Sequence, residues 1–334
     1  MTDAFSETIL RWYEENARDL PWRRTRDPYA IWLSEIILQQ TRIAQGKAYW
    51  ERFMERFPTV EQLALAPEDE VMRLWQGLGY YSRARNLHTA AKQIVSMGGF
   101  PRTTEGIRSL KGVGDYTAAA IASIAFDLPE AVVDGNVYRV LARHFGIATP
   151  VGSTAGKKEF AALAQKLLPE ERAAAYNQGM MDFGALQCTP VSPSCLTCPL
   201  QSTCSAFREG RVDLLPVKAE AKKPVVRHLT WMYLRCNGET AIRRRAPGDI
   251  WQGLWEPYSL ENQAPDLPGA LLLKPKVKHQ LTHRIILADF YFLETKEKPS
   301  LPEGYRWIPE SELDRYGKPR LFEMLLDALQ SSTA

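Results

Sequence analysis

The chain has few cysteines, little net charge and no long apolar run. Its 334 residues include five cysteines and carry a formal net charge of +3. No apolar stretch reaches the roughly eighteen residues of a membrane-spanning helix. The first ten residues hold acidic Asp3 and Glu7 and no basic region, which predicts that there is no signal peptide. We therefore expect a protein of the reducing cytosol without membrane contact or structural disulfides.

The charge balance gives no sign of a nucleic-acid partner. Residues 1–220 contain 25 basic and 25 acidic side chains, so any basic surface for DNA must be local. The composition, 45% hydrophobic and 24% charged, is that of an ordinary globular protein. The length predicts two or three domains.

The hydrophobic pattern divides the chain into a helical part and a strand-rich part. Capping residues, proline starts and glycine breaks predict helices over about 28–45, 68–78, 82–96, 114–125, 135–145, 154–167 and 171–186. After a polar, proline-containing stretch the pattern predicts strands over 225–235, 271–279 and 283–293, and a last helix over about 319–331. We predict a domain over 1–208, a linker over 209–224 and a second domain over 225–334.

Four of the five cysteines lie close together in the sequence. Cys188, Cys195, Cys198 and Cys204 are separated by six, two and five residues, with prolines between them. Four thiolates at this spacing can close one tetrahedral site, such as zinc, or hold one iron–sulfur cluster. The spacing does not separate these two alternatives, but it disfavours a chance cluster of buried cysteines.

Two carboxylates have contrasting surroundings in the sequence. Glu35 lies within an apolar helix that leaves it little polar face, and burial would raise its pKa as a general acid requires. Asp134 precedes a predicted helix, where capping hydrogen bonds and the helix dipole would keep it ionised. The alternatives are a solvated surface carboxylate and a plain helix cap. One protonated and one ionised carboxyl form the pair that breaks glycosidic bonds.

A Gly-x-Gly turn at Gly112 and Gly114 opens a predicted helix. Glycines there allow a close approach of the backbone, and the exposed amides can bind a phosphate oxygen without reading sequence. The plain alternative is a tight turn between helices.

Several motifs in the first two hundred residues resemble the adenine DNA glycosylases of the MutY type. The resemblance begins near residues 20–23 and includes Ser34-Glu35-Ile36-Ile37-Leu38-Gln39-Gln40-Thr41, the stretch 77–88, the helix-hairpin-helix over 110–117, residues 133–137 and the cysteine loop over 188–204. It implies an all-α helix-hairpin-helix glycosylase domain with an iron–sulfur loop, followed by an α+β Nudix-like domain.

The resemblance also implies roles for individual residues. Glu35 would protonate the adenine, and Asp134 would stabilise the oxocarbenium-like sugar, as an ion or through a covalent adduct. Asn136 and Tyr116 would position these groups, and the four cysteines would hold a [4Fe–4S] cluster. Residues implied to contact DNA are Gln40, Thr41, Leu78, Tyr80, Gly112 and Gly114, with Gln40 and Tyr80 entering the base stack opposite the extruded adenine.

Tyr116 stands where endonuclease III-like relatives carry a lysine that forms a Schiff base and cuts the strand. A phenol cannot form that imine, so the resemblance implies a monofunctional glycosylase. Two alternatives remain: a bifunctional pyrimidine glycosylase/lyase, and a DNA-scanning or redox module with an idle pocket.

The C-terminal part resembles the family's 8-oxoguanine-recognition domain. Residues 251–256 resemble its Gly-Leu-Trp-Glu element, and Leu281-Thr282-His283 stands in place of the usual Phe-Ser-His turn. Thr282 and His283 would read the modified base and its phosphate, while His283 alone could also be a strand-edge histidine. Residues 243–245 and the lysines at 274, 276 and 278 are either phosphate contacts or solvated strand faces.

The resemblance therefore implies a monomeric enzyme that removes adenine mispaired with 8-oxoguanine or guanine in double-stranded DNA. It also implies a bacterial cytoplasmic protein associated with the nucleoid.

Overall fold

The computed structural model describes residues 4–218, 224–281 and 283–333. They belong to two compact units. The first contains residues 1–64 and 89–220, and the second contains residues 65–88 and 221–334. The domain boundaries drawn from the sequence stay a prediction.

The helices, in chain order, are α1 (Ala4–Asn16), α2 (Pro28–Leu38), α3 (Ile43–Arg56), α4 (Val60–Leu65), α5 (Glu68–Leu74), α6 (Ser82–Ser96), α7 (Thr104–Arg108), α8 (Asp115–Phe126), α9 (Gly135–Phe145), α10 (Thr154–Leu167), α11 (Ala173–Leu186), α12 (Ser205–Arg208) and α13 (Arg320–Thr333). Short 3-10 turns cover Pro21–Arg23, Glu170–Arg172, Cys195–Thr197, Gln201–Thr203, Val212–Leu214 and Glu310–Arg315. No helix in the described part of the chain has the length and apolar character that crossing a membrane requires.

The predicted helix over 28–45 is two helices. Its start is as predicted, because the Asp27 carboxylate accepts the Tyr29 and Ala30 N–H groups and Pro28 occupies the first helical position. The helix ends at Leu38 because Gln40 has a φ of +57°, which a right-handed helix cannot contain. The predicted helix over 68–78 ends early, at Leu74, and Gly77 follows with a φ of +95°.

The first unit is held by an apolar core around α1, α9, α10 and α11. It includes Ile9, Leu141, Phe160, Met180 and Phe183. Burying one such side chain contributes about 1.5–3 kcal/mol. Residues 209–218, which were predicted as the first part of a linker, also join this core. Leu215 is buried in it, and the Arg143 guanidinium donates to the Leu215 carbonyl at 3.0 Å.

The second unit is built on one mixed sheet. Its strands are β1 (Val225–Cys236), β2 (Glu239–Arg244), β3 (Trp255–Glu256), β4 (Tyr258–Glu261), β5 (Leu271–Gln280), β6 (Arg284–Thr295) and β7 (Tyr305–Pro309). The order is β3-β2-β1-β6-β5, while β4 pairs with β1 and β7 with β2.

The two central strands of this sheet, β1 and β6, run parallel. Val225 is opposite Arg284 and Cys236 is opposite Thr295, so the two strands pair over their whole length. Helix α13 packs on this sheet through Leu321, Phe322 and Leu325. The sequence predicted the three longest strands and the last helix close to these bounds.

Candidate active site

Four residues predicted as catalytic line one cavity of the first unit. The cavity measures about 210 Å³ and is lined by Glu35, Tyr116, Asp134 and Asn136. Helix α2 contributes the first, the first turn of α8 the second, and the start of α9 the other two. Three separate helices thus bring two carboxyl groups and a phenol to a common space.

Glu35 is buried because nearly every side of α2 is covered. Residues 29–37 of this helix are all buried, which leaves Glu35 facing the cavity instead of bulk water. Burial raises the pKa of Glu35 to about 7, the Tyr116 hydrogen bond lowers it in part, and the nearby Asp134 charge raises it. The carboxyl is therefore partly protonated at neutral pH and is suited to act as a general acid.

Asp134 caps α9 and is fixed by three donors. Its Oδ1 accepts the backbone N–H groups of Asn136 and Val137, each at 2.8 Å, and its Oδ2 accepts the Asn136 side-chain amide at 2.7 Å. The sequence predicted that capping would keep Asp134 ionised. These hydrogen bonds do lower its pKa, but burial raises it and outweighs them, so the net direction is upward.

The Tyr116 phenol is kept protonated by its surroundings. Burial raises the pKa of Tyr116 well above its usual value, and the charges of Glu35 and Asp134 raise it further. Its hydroxyl also donates to Sδ of Met181 at 3.6 Å. A neutral phenol can donate a hydrogen bond in the cavity, but it cannot form an imine.

The cavity has a cationic wall that the sequence analysis missed. Arg18, Arg23 and Gln178 line it, and both guanidinium groups bind Asp182 of α11, with Arg23 at 2.7 and 2.8 Å. Burial alone would raise the pKa of Asp182, but these hydrogen bonds outweigh it and lower the pKa. Like Glu35, Asp182 is a lone acid in an apolar helix, and that signal could have found it.

We expect Asp182→Asn to destabilise the fold by about 3 kcal/mol, because it leaves two guanidinium charges facing a neutral amide in a buried site. Urea unfolding followed by circular dichroism measures the change. Asp19→Asn is the matched control, since Asp19 pairs with Arg24 at an exposed site. An equal midpoint for the Asp182 variant and the native protein would contradict this assignment.

Helix α9 also connects this cavity to the cysteine loop. Arg139 donates to the Asn136 side-chain oxygen at 2.9 Å and to the Cys188 carbonyl at 2.7 Å. One turn further on, Arg143 donates to Sγ of Cys188 at 3.4 Å and to the Thr189 carbonyl at 2.7 Å. The loop is thereby fixed to the helix that carries Asp134.

The four cysteines of the loop face one small cavity. Cys188, Cys195, Cys198 and Cys204 line it together with Arg143, and none of them forms a disulfide. Among the residues that the structure describes, no three His, Cys, Asp or Glu side chains are placed to hold a single metal ion. A tetrahedral zinc site needs sulfurs roughly 3.8 Å apart. The four thiols of one loop are donors of the kind that hold zinc or an iron–sulfur cluster.

The hairpin between α7 and α8 has room for a partner backbone. Gly112 has a φ of +81°, which favours glycine, and a Cβ at Gly114 would meet nothing within 4 Å. No packing inside the protein therefore requires glycine at position 114. Asp115 opens α8, and its side chain pairs with Arg108 at 3.0 Å, which offsets the acid near this helix start.

The other predicted DNA contacts fall in both units. In the first unit, Gln40 is exposed and Thr41 lines the 210 Å³ cavity. In the second unit, Leu78 is only 7% exposed and its side chain packs inward, whereas Tyr80 is 47% exposed. Tyr80 has a φ of +47°, and the Arg83 guanidinium lies 5.6 Å from its ring centroid.

A larger cavity of about 480 Å³ lies within the second unit. Tyr80, Trp251, His279 and His283 are among the residues that line it. Trp251 has a φ of +56°, so two aromatic residues on this wall share a rare backbone conformation. Thr282, the other predicted recognition residue, lies outside the described residues.

Comparison with known proteins places both units in families. Residues 33–170 match the family described as HhH-GPD superfamily base excision DNA repair protein, and residues 230–328 match the NUDIX domain. A thermostable thymine-DNA glycosylase has a similar structure, with a TM-score of 0.58 and 34% identity, over 61% of this chain and 95% of that one. The fold and the site thus define a helix-hairpin-helix DNA repair protein.

Two relatives show which family of helix-hairpin-helix DNA repair proteins this chain resembles. The adenine DNA glycosylase of Buchnera aphidicola subsp. Acyrthosiphon pisum is 34% identical over 255 residues, which is 75% of this chain and 73% of the relative. The adenine DNA glycosylase of Rattus norvegicus is 45% identical over 227 residues, 64% of this chain and 44% of the relative. The chain belongs to the adenine DNA glycosylases of the MutY type. It spans less than half the length of the mammalian relatives it matches.

Proposed function

We propose that this protein is a monofunctional DNA glycosylase that removes adenine mispaired with 8-oxoguanine or guanine. The observation that carries the proposal is the shared cavity of Glu35 and Asp134, in which the pKa of Glu35 is raised to about 7. Family membership supports adenine as the base. The cavity can hold a planar base only after the nucleotide leaves the stack.

The proposed reaction begins with proton transfer from Glu35 to a ring nitrogen of the extruded adenine. The bond between the sugar C1′ and the base then breaks, and its electron pair leaves with the now neutral adenine. Asp134, held by its three donors, stabilises the positive charge that develops on the sugar. Water adds to C1′, its proton returns to a carboxylate, and an abasic site remains.

The other polar groups of the cavity have supporting roles in this proposal. Tyr116 is hydrogen-bonded to Glu35 and feels the charge of Asp134, and the Asn136 side-chain amide donates to Asp134 at 2.7 Å. Arg18 and Gln178 line the same space and offer donors to the nitrogens of the base. Because Arg18 is itself bound to Asp182, its position is fixed before the base arrives.

We infer that Cys188, Cys195, Cys198 and Cys204 hold a [4Fe–4S] cluster. Their common cavity and the membership of the MutY-type family support this choice over zinc. Such a cluster would supply a rigid cross-link for the loop over 188–204. Arg143 donates to this loop at one sulfur and at two carbonyls, so it already compensates negative charge there.

In the second unit, we propose that the 480 Å³ cavity inspects the base opposite the adenine. His283 on its wall is a residue for which the resemblance implies such a contact, and Tyr80, which the resemblance implies enters the base stack, lies on the same wall. We propose that Gln40 and Thr41 assist at the base stack, and that Gly112 and Gly114 bind a phosphate through their backbone. Leu78, predicted as a further DNA contact, is buried and its side chain is not placed for one. We propose that the protein binds double-stranded DNA as a monomer through these sites in both units.

The experiment that tests the proposal is a base-release assay on matched duplexes. Native protein is expected to release adenine from A:8-oxoguanine and A:G duplexes, with strand breaks appearing only after alkali. Borohydride should trap no covalent complex, because Tyr116 replaces the Schiff-base lysine. A T:G duplex tests pyrimidine excision, to which the similarity with the thymine-DNA glycosylase points. Release of thymine without adenine, or borohydride trapping, would contradict the proposal.

A further inference from the structure

Three lysines lie along one edge of the sheet in the second unit. Lys274, Lys276 and Lys278 belong to β5, which pairs with β6 alone among the described strands and ends the strand order. All three residues are exposed. They span about 13 Å of strand, because each residue adds about 3.3 Å. The edge strand therefore carries a compact row of positive charge.

The arginines at 243–245 differ from the lysines of β5 in their partners. From the sequence, both groups were candidates for phosphate contacts. Arg243 pairs with Glu256 at 2.7 Å, and Arg245 pairs with Asp249 at 2.5 Å. Arg244 pairs with Glu68 at 3.0 Å, within the same unit. These three guanidinium groups are already compensated and are not placed to receive a phosphate.

The lysines of β5 have no such partners among the described residues. None of the ion pairs within the described ranges includes Lys274, Lys276 or Lys278. Asp289 on the neighbouring strand forms no ion pair with these lysines in the described ranges, and its Oδ1 accepts the backbone N–H of Lys276 at 2.7 Å. Three uncompensated charges side by side repel one another, which costs stability unless an anion binds them.

The backbone of β5 is also irregular where the lysines lie. The register shifts between Leu272 and Lys274 and again between Lys274 and Val277. Lys276 has a φ of +49°, which is uncommon for a residue with a side chain. Bulges change the direction of side chains, and strained residues cluster at binding sites.

We propose that Lys274, Lys276 and Lys278 form a phosphate-binding edge for the DNA strand opposite the excised adenine. The proposal rests on the proposed function for the choice of strand. Strand β5 leads directly into the 480 Å³ cavity, because His279, Gln280 and Leu281 line it. A base inspected in that cavity would bring its own backbone phosphates alongside the preceding lysines. Ammonium groups bind such phosphates without reading sequence.

A structural role for the same residues makes a different prediction. Lysine and proline on an exposed edge strand prevent pairing with another chain, and β5 also contains Pro275. If this were their whole role, removing the charges would leave DNA affinity unchanged and would promote self-association. The two explanations therefore separate in one set of measurements.

The test replaces all three lysines with glutamine in a Glu35→Gln background, which prevents turnover. Affinity for an A:8-oxoguanine duplex is measured by fluorescence anisotropy at several salt concentrations. Removing one lysine–phosphate interaction should reduce the slope of log affinity against log salt by about 1, so the triple variant should lose about 3. A fully paired duplex should show the same reduction, because the interactions are sequence-independent.

The matched control removes three positive charges elsewhere in the same unit. Lys296, Lys298 and Arg315 are exposed, and two of them already pair with acids. Their replacement by glutamine should leave the slope within about 0.5 of the native value. An unchanged slope in the β5 variant, or an equal reduction in both variants, would overturn the proposal. Equal unfolding midpoints show that both variants fold.

A strand-specific arm tests the choice of strand. Neutral methylphosphonate linkages are placed in the 8-oxoguanine strand or in the adenine strand. Neutral linkages in the 8-oxoguanine strand should weaken binding by the protein with native lysines and should have little further effect on the triple variant. The reverse pattern would overturn the strand assignment. Adenine release is measured separately with protein that keeps Glu35. Absence of adenine release would contradict the proposed function, whereas an unchanged salt slope would contradict only the role of the lysines.

Discussion

Glu35→Gln should reduce the rate of adenine release by about 10³-fold, within the range that a positioned general acid supplies. Glutamine keeps the shape and hydrogen-bonding capacity of the buried side chain, but it has no proton to deliver to the base. The rate is measured under single-turnover conditions on an A:8-oxoguanine duplex. Affinity for an uncleavable duplex should stay within about threefold of native, because the substitution removes chemistry and keeps the cavity.

Glu61→Gln is the matched control for this substitution. Glu61 lies on α4 of the same unit, is exposed and does not line the cavity. Its variant should release adenine at the native rate. Native turnover by the Glu35 variant would show that the proton comes from elsewhere, and it would remove the main support for the assigned chemistry.

Asp134→Asn should lower the rate by about 10² to 10³-fold, since one preorganised electrostatic group near the developing charge is worth roughly that much. Asparagine is as good a helix cap as aspartate, so α9 should stay intact and the unfolding midpoint should change little. The substitution removes the negative charge and, with it, the acceptor of the Asn136 side-chain amide, while the backbone cap is kept. Single-turnover rates and urea unfolding together measure both effects.

The Asp134 variant should also change the pH dependence of the residual rate. The Asp134 charge raises the pKa of Glu35, so its removal should lower that pKa and move the basic limb toward lower pH. Asp27→Asn is the matched control. Asp27 caps α2 in the same way, and it does not line the 210 Å³ cavity. A basic limb that stays in place would contradict the coupling between the two carboxyl groups.

Much of the helical framework could be predicted because local signals mark it. Asp27 and Pro28 begin α2, and glycine or proline breaks bound α6, α9 and α10. The end of α2 was missed because Gln40 adopts a left-handed conformation that no glycine announces. Such conformations depend on tertiary contacts, and a single sequence does not show them.

The candidate site was partly visible for a similar reason. Glu35 stood out because its helix has no polar face, and the structure buries it. For Asp134 the cap motif showed the hydrogen-bond donors but not the depth of burial, which raises its pKa. Arg23 and Asp182 were missed as a pair because 159 residues separate them.

The strand-rich part shows the same limit at its surface. Arg243 and Lys276 both appeared as candidate phosphate contacts, since each lies in a short basic run. The structure pairs the first with Glu256 and leaves the second without an ion pair among the described residues. Charge compensation depends on which acids fold against a strand, and spacing along the chain does not reveal it.

The most direct test of the account is the pH profile of adenine release by the native protein with substrate below saturation. The rate constant under these conditions depends on the ionisation of groups in the free protein. Dividing it by the DNA affinity of the Glu35→Gln variant at the same pH removes the pH dependence that DNA binding contributes. With the pKa of Glu35 raised to about 7, the proton is lost above that pH. The corrected rate should then fall about tenfold for each further pH unit. A rate that stays constant to pH 9 would contradict a protonated Glu35 as the acid.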